Sequence, residues 1–270
     1  MAEAGLSASS LGEACREVML AAQPRIKLMK ARAAARSWRL GRLAHRFDAD
    51  LPDEPARPDR PELLPPNRMP KRGKGGSERA RIAMLHALAH IEFVAIDLAF
   101  DLLGRFGSEF PREFADDWLR VGADEAMHFA MLDRRLRQMG SYYGALPAHG
   151  GLWEAASETS ADAMARLAIV PMVLEARALD ITPETIKKFE LAGDFSSTRL
   201  LSRIMTDEIR HVAFGTKWFN EAANRKGLSA PNHYQNLVKR HFRGRLKPPF
   251  NDSARDEAGL TRDYYISLAY

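Results

Sequence analysis

The sequence contains a single cysteine, Cys15, in 270 residues. One cysteine cannot build a disulfide framework within the chain or a cysteine-rich metal site, so a reducing compartment is the simpler expectation. Long apolar runs are also scarce, and none approaches the roughly 20 residues that a membrane-spanning helix needs. The N-terminus carries Glu3 and Glu13 and lacks the uninterrupted apolar core of a secretory signal. We therefore expect a soluble, cytoplasmic protein with no membrane partner.

Positive charge is concentrated at the start of the chain, although the net charge is only +5. Residues 1–80 hold 16 Lys and Arg against 10 Asp and Glu, whereas the remaining 190 residues hold 24 against 25. A second basic cluster lies at 239–247. A basic arm could dock on phosphate, including that of RNA, but it could equally be a solvated face or pair with acids of the same protein. Charge alone leaves RNA binding open.

No strand pattern of any length occurs, and helical periodicity dominates from Ser77 onward, so the predicted class is all-α. Repeated prolines between 52 and 70 exclude a continuous helix there. Thr182 and Pro183 predict the start of a separate short helix. The expected organisation is an N-terminal helical segment over 1–47, a proline-rich strap or linker over 48–77, a four-helix bundle over 78–227, and a C-terminal helix and tail over 228–270.

A repeat connects two parts of the predicted bundle. The segments 123–130 and 206–213 both read x-Asp-Glu-x-x-His-x-Ala, and they are offset by 83 residues. The same offset aligns earlier residues as well: Glu92 with Glu175, and Asp97 with Asp180. The sequence therefore contains two copies of a glutamate followed, 33 residues later, by the glutamate of Asp-Glu-x-x-His.

Helix geometry gives this spacing a meaning. Residues three apart share a helix face, so each Glu-x-x-His offers a carboxylate and an imidazole in one direction. With a rise of about 1.5 Å per residue, Glu92 and Glu125 fall at similar heights on adjacent antiparallel helices. Carboxylates on apolar faces are costly unless positive charge compensates them, and two divalent cations would do so. The predicted metal ligands are Glu92, Glu125, His128, Glu175, Glu208 and His211.

Other interpretations apply to single motifs. One Glu-x-x-His alone is more typical of a surface ion pair, and it is the repetition with matched upstream glutamates that favours a dinuclear metal site. His86 and His90 share a helix face, but Glu92 lies about 200° around the helix from His90 and about 240° from His86. We interpret both histidines as core residues or as support for the ligands.

The constellation resembles the ferritin-like di-iron carboxylate superfamily over roughly residues 78–224, in which two helices give one Glu each and two give Glu-x-x-His. The resemblance implies that all six ligands are catalytic, with Glu125 and Glu208 bridging two iron ions. It also implies that Asp124 and Asp207 orient the ligand imidazoles and that Arg210 pairs with an aspartate. Met127 stands where the related motif has arginine, so these supporting groups are expected to be asymmetric.

The whole chain is similar to a bacterial ferritin-like family of uncharacterised function, through "LLPPNRMPKR", "LHALAHIEFVAIDLA" and "PPFNDSARDEAGLTRDYY". A di-iron hydroxylase of modified tRNA adenosine belongs to the same broad group. The resemblance implies an O2-dependent hydroxylase or desaturase with two iron ions, manganese or a mixed Mn/Fe pair being the other options. It would use an electron donor and a small-molecule or modified-nucleoside substrate, and a homodimer is open.

Two alternatives stay open at the sequence level. One is a ferroxidase or iron-handling protein without an organic substrate. The other is an RNA-binding or structural bundle whose metal site is not catalytic. An oxygenase needs a cavity beside the metals that admits an organic molecule, whereas a storage protein needs a closed cage.

Overall fold

The computed structural model describes residues 6–70 and 76–269. Helices dominate these ranges, which contain no β-strand and only two isolated bridges, Ser10 with Ala44 and Leu63 with Ala148. The predicted all-α helical-bundle class is confirmed. Residues 71–75 of the predicted proline-rich segment, and the first five residues, lie outside the described part. Two compact units make up the chain, residues 1–150 and residues 151–270, and the four-part division expected from sequence stays a prediction.

The first unit begins with two short helices whose ends the sequence encodes. The Ser10 side chain accepts from the Glu13 backbone N–H, and the Glu13 carboxylate accepts from the Ser10 backbone, which forms a capping box. The second helix begins at Pro24, where proline is tolerated because the first-turn N–H has no helical partner. These helices are α1 (Leu11–Met19) and α2 (Pro24–Arg39).

Two long helices form the centre of the first unit. They are α3 (Glu78–Phe106) and α4 (Arg112–Gln138), joined by a 3₁₀ turn (Gly107–Glu109). α1 packs on α3, α2 packs on α4, and α3 and α4 pack against each other. At one crossing a Cβ on Gly122 would come within 2.5 Å of the Phe100 ring, so only glycine permits this approach. The N-terminal helices α1 and α2 thus each pack on one arm of this hairpin.

The described part of the proline-rich segment, residues 48–70, makes hydrogen bonds to the rest of the first unit. Between residues 48 and 70 it forms only a 3₁₀ turn, Pro66–Arg68. Its backbone is tied to the first unit by Ala56 N–H, which donates to Met19 O at 2.8 Å, and by Pro52 O, which accepts from Arg105 at 2.8 Å. Further along, Leu64 N–H donates to the Ala148 carbonyl at 2.8 Å.

The second unit contains a second hairpin, whose first arm is irregular. The arm is interrupted between residues 170 and 175 by a π-helical turn that holds Pro171, whose missing N–H breaks the α-helical hydrogen-bond pattern. The return arm begins at Asp194, whose carboxylate accepts from the Ser197 backbone N–H at 3.1 Å. The helices are α5 (Gly151–Ser157), α6 (Ala163–Ile169), α7 (Ala176–Leu191) and α8 (Phe195–Arg225), with the π turn Val170–Glu175 between α6 and α7.

The prediction of a separate short helix beginning at Thr182 was wrong. α7 continues through Pro183, so Thr182 lies inside a helix and does not cap one. Proline at 183 cannot donate to the carbonyl of Leu179, four residues earlier. The Asn251 side-chain amide donates to that carbonyl at 3.1 Å instead. A contact from 72 residues away thus satisfies the carbonyl that proline leaves open.

The C-terminal segment folds onto the second unit. It forms α9 (Ala230–His241), α10 (Asp252–Glu257), α11 (Arg262–Tyr265) and a closing 3₁₀ turn (Ile266–Leu268). Tyr234 is fully buried and its hydroxyl donates to the Met172 carbonyl of the π turn at 3.2 Å. The predicted C-terminal tail therefore contains further short helices, and the Tyr234 hydrogen bond joins α9 to the first arm of the second hairpin.

One helical stretch, Glu78–Glu109, is long and apolar enough to cross a membrane by length and composition. This differs from the sequence expectation that no such run exists. However, 67% of its most apolar window is buried inside the protein, as in the core helix of a soluble protein. The stretch gives no clear membrane span, and the cytoplasmic location stays a prediction.

Candidate metal centre

The first half of the predicted site lies between α3 and α4. Glu92 projects from α3, and Glu125 and His128 project from successive turns of α4. Their exposed fractions are 6%, 1% and 0%. The Glu-x-x-His spacing places the two α4 side chains on one face, and the hairpin brings Glu92 beside them. The sequence predicted all three residues as ligands.

The three side chains converge closely. His128 Nδ1 lies 3.2 Å from Glu92 Oε2 and 3.5 Å from Glu125 Oε2. One potential ligand atom from each residue falls within 4.8 Å of the others. A divalent cation with ligand bonds of about 2.0–2.2 Å fits among donors this far apart. This buried carboxylate–imidazole group could hold a metal ion.

The electrostatics of the group favour a bound cation. Burial raises the pKa of Glu92 well above its usual range, and the nearby Glu125 carboxylate raises it further. His128 acts in the opposite direction through its hydrogen bond and charge. Two carboxylates in a low-dielectric interior repel each other, and one responds by holding a proton. A metal cation would replace that proton, and oxygen and imidazole donors suit iron, manganese or zinc better than a soft metal.

The second unit carries the matching residues of the repeat. Glu208 and His211 lie on one face of α8, both buried, with His211 Nδ1 3.6 Å from Glu208 Oε1. Glu175 is half-buried and is the last residue of the π turn. π turns occur frequently at functional sites because the extra residue shifts the side chains that follow. The sequence revealed Pro171 but gave no sign that the helix would continue as a π turn.

The aspartates next to the ligand glutamates differ between the copies. Asp207 is buried and accepts from Arg203 Nε at 2.9 Å and from Arg210 at 2.8 Å. Asp124 is half-buried on α4, in a copy that has Met127 in place of the arginine. Arg210 thus lies beside an aspartate, as the resemblance implied. That Asp124 and Asp207 orient the imidazoles stays a prediction.

A second repeated feature was missed by the sequence reasoning. Asp97 lies five residues after Glu92 and forms a buried ion pair with Lys27 of α2, whose side chain is fully buried. Asp180 lies five residues after Glu175 and accepts from Arg255 of α10 in a bidentate pair at 2.8 and 2.7 Å. The repeat had already matched the two aspartates, and an aspartate on a strongly apolar helix signals a buried cation partner.

The extra histidines of α3 have other partners. His86 is buried, and its Nε2 accepts from the Gly144 backbone N–H at 2.9 Å. His90 Nδ1 lies 2.9 Å from the Tyr143 hydroxyl. Burial lowers the pKa of each ring to about 4, so both are neutral at pH 7. They belong to the packing between α3 and the 141–150 loop, in agreement with their interpretation as core histidines.

The fold and site together define an all-α protein with a buried carboxylate–imidazole group of metal-ligand type. The chain belongs to a family described as "Protein of unknown function (DUF455)", whose model matches residues 20–266. An "Uncharacterized protein" of Haemophilus influenzae (strain ATCC 51907 / DSM 11121 / KW20 / Rd) is 39% identical over 211 residues, which cover 76% of this chain and 73% of the relative. No solved structure matches the chain. The predicted membership of a family of unknown function is confirmed, and the ferritin-like di-iron relationship stays a prediction.

Proposed function

We propose that this protein is a di-iron carboxylate oxidoreductase that uses O2 to hydroxylate or desaturate a substrate. The observation that carries the proposal is the buried group of Glu92, Glu125 and His128, together with its sequence repeat in the second unit. A single buried cluster would support one metal ion. The repeat supplies a second glutamate, a second Glu-x-x-His pair and therefore donors for a second ion.

In this proposal each copy of the repeat would supply three metal ligands. Glu92, Glu125 and His128 would come from the first copy, and Glu175, Glu208 and His211 from the second. Bound iron would supply the redox chemistry with O2. The four carboxylates offset the cationic charge, and the apolar helices around them keep bulk water away from the reacting centre. Neutral imidazoles complete the donor set without adding charge.

The supporting residues give the glutamates a fixed environment. Lys27 neutralises Asp97 one and a half turns beyond Glu92, and Arg255 neutralises Asp180 at the same distance beyond Glu175. Without those cations, further buried negative charge would lie near the ligands. We infer that the pairs keep each ligand helix in a single position, so that the carboxylates need not move when a cation binds.

Anaerobic titration with Fe(II) tests the site. We expect two tightly bound iron ions per chain, and uptake of fewer than two would show that the six-ligand assignment is wrong. Glu125→Ala should lose iron because it removes one of the buried carboxylates of the proposed ligand group. Glu113→Ala is the matched control, since Glu113 is an exposed glutamate on the same helix. Equal loss of iron from both variants would contradict the assignment.

Exposure of the iron-loaded protein to O2 separates the candidate activities. An oxygenase or desaturase should consume O2 in proportion to an added reductant and substrate. It should not keep oxidising Fe(II) that is added in excess of its two bound ions. A ferroxidase should instead oxidise many added Fe(II) ions per chain with no organic product. Retention of RNA at low salt, lost as salt rises, would favour the nucleic-acid alternative.

A further inference from the structure

The outer face of α2 carries a row of arginines. At about 100° per residue, Arg32, Arg36 and Arg39 all lie within about 40° of Arg25 around the helix axis. All four side chains are exposed. Ala34, which is buried, lies about 180° from Arg25, so the row points away from the face of α2 that packs on the first unit. At a rise of about 1.5 Å per residue, the row is about 21 Å long.

The lysines of the same helix already have acidic partners, whereas the arginines do not. Lys27 is buried in its pair with Asp97, and Lys30 Nζ lies 2.6 Å from Glu17 Oε2 of α1. The four arginine side chains form no ion pair or hydrogen bond with any part of the chain that the structure describes. The sequence of α2 itself contains no Asp or Glu. Folding therefore neutralises the two lysines and leaves four positive charges in a row facing solvent.

The helix that carries this row is held in place at its C-terminal end. Trp38 is buried, and its Nε1–H donates to Asp116 of α4 at 2.6 Å. The Arg112 guanidinium carbon lies 3.7 Å from the centroid of the Trp38 ring, on which it stacks. The backbone of α2 is thus already ordered before any ligand binds, so a partner of the arginine row need not provide the free energy of ordering a helix.

The chemistry of the row favours a partner with repeated phosphate groups. A guanidinium binds two phosphate oxygens side by side, which a lysine ammonium does not. Four such groups along a line match an anion whose charges also repeat along a line. A helix that lies on a membrane surface turns a broad apolar face outward. α2 instead buries Ala31, Ala34 and Trp38, and the exposed apolar residue within the row is Met29. The phosphate backbone of a nucleic acid fits these features better than a lipid surface does.

From these observations we propose that the outer face of α2, through Arg25, Arg32, Arg36 and Arg39, binds the phosphate backbone of a nucleic acid. Phosphate contacts carry no base information, so binding should not depend on base sequence. None of the four arginines is among the predicted metal ligands, and the proposal does not depend on the proposed oxidoreductase function. Retention of RNA would then report this face of α2, and O2 consumption would decide whether the metal centre is catalytic.

Fluorescence anisotropy of the full-length protein tests the face with two labelled probes, a single-stranded RNA and a DNA duplex of equal length. We expect saturable binding of at least one probe at low salt, and the tighter probe identifies the preferred form. Four phosphate contacts predict that log K falls with log salt with a slope of about −2.8 for the single strand and about −3.6 for the duplex. No saturable binding of either probe, or a slope near zero, would overturn the proposal. Equally tight binding to vesicles of anionic phospholipid would overturn it as well.

A double variant in the middle of the row locates the binding face. Arg32→Gln with Arg36→Gln should weaken binding of the tighter probe by about tenfold or more and make the salt slope shallower by about 1.4 with RNA, because two phosphate contacts are lost. Both positions are exposed, and glutamine has nearly the helix propensity of arginine, so thermal unfolding should not change.

Two controls separate this face from net charge and from the metal centre. Arg79→Gln with Arg134→Gln removes the same charge from exposed positions on α3 and α4, and binding should stay within about twofold of the unmodified protein, since these arginines lie outside the row. Equal weakening in both double variants would show an effect of net charge and refute the α2 site. Glu125→Ala should bind the probe normally although it loses iron. Loss of binding in that variant would place the nucleic acid at the metal centre and refute the α2 site.

Discussion

The buried ion pair between Lys27 and Asp97 makes the N-terminal helices part of the stability of the central hairpin. Both side chains are almost completely buried, and burial raises the pKa of Asp97 to about 6 although Lys27 lies against it. Replacing lysine by methionine keeps most of the apolar stem and removes the charge. Lys27→Met therefore leaves a carboxylate in the interior with no compensating cation.

The magnitude follows from the loss of the buried counter-ion. Asp97 has a pKa of about 6 in the native protein, so a further rise of its pKa in the variant adds about 1.4 kcal/mol of deficit for each pH unit above 6. Removal of one partner from a buried pair typically costs about 3–5 kcal/mol in total. We expect Lys27→Met to lose this much free energy of unfolding in urea titrations, with metal chelated in all samples.

The pH dependence has a definite sign. A carboxyl whose folded pKa is raised contributes stability below its unfolded pKa, and that contribution is lost as pH rises through the folded pKa. In the native protein the loss from Asp97 ends near pH 6, whereas in Lys27→Met it continues to higher pH because the folded pKa rises further. The deficit of the variant should therefore be larger at pH 8 than at pH 6.

A double variant distinguishes charge from packing. Lys27→Met with Asp97→Leu removes both charges, so most of the stability should return. If the double variant is as unstable as Lys27→Met, or if the deficit is equal at pH 6 and pH 8, the ion-pair reasoning is refuted.

Two further predictions concern the second unit. Arg255→Met should cost about 3–5 kcal/mol in the same urea titration because it leaves Asp180 buried without its bidentate partner, and restoration by a second change, Asp180→Leu, would be the check. Gly215→Ala should cost about 1–3 kcal/mol, since its Cβ would come within 2.5 Å of Pro171 in the π turn. Gly76→Ala, with nothing within 4 Å, is the neutral control, and an equal loss in both would contradict the close packing.

Local patterns in the sequence were enough to predict the helices and the first half-site. Glu92, Glu125 and His128 could be found because helix periodicity, the glycine turn and the 33-residue spacing are all short-range rules. The caps at Ser10 and Asp194 follow equally local rules.

Features that depend on distant residues could not be predicted in this way. Pro183 was expected to start a helix, because the Asn251 side chain that satisfies the open Leu179 carbonyl lies far along the chain. Lys27 is one of 40 Lys and Arg residues, and its partner depends on how α2 packs in three dimensions. The π turn likewise packs closely against Gly215. The helical periodicity of the sequence does not encode such a contact.

The two buried ion pairs also bear on the history of the chain. A duplication of an 83-residue ancestor would copy Asp97 into Asp180, because both lie inside the repeated segment. It would not copy their cations, since Lys27 comes from before the first copy and Arg255 from after the second. The two counter-ions therefore differ in chemical type, and one precedes its aspartate in the chain whereas the other follows it. A protein reduced to its repeated segment would therefore keep Asp97 and Asp180 but lose the cationic partner of each.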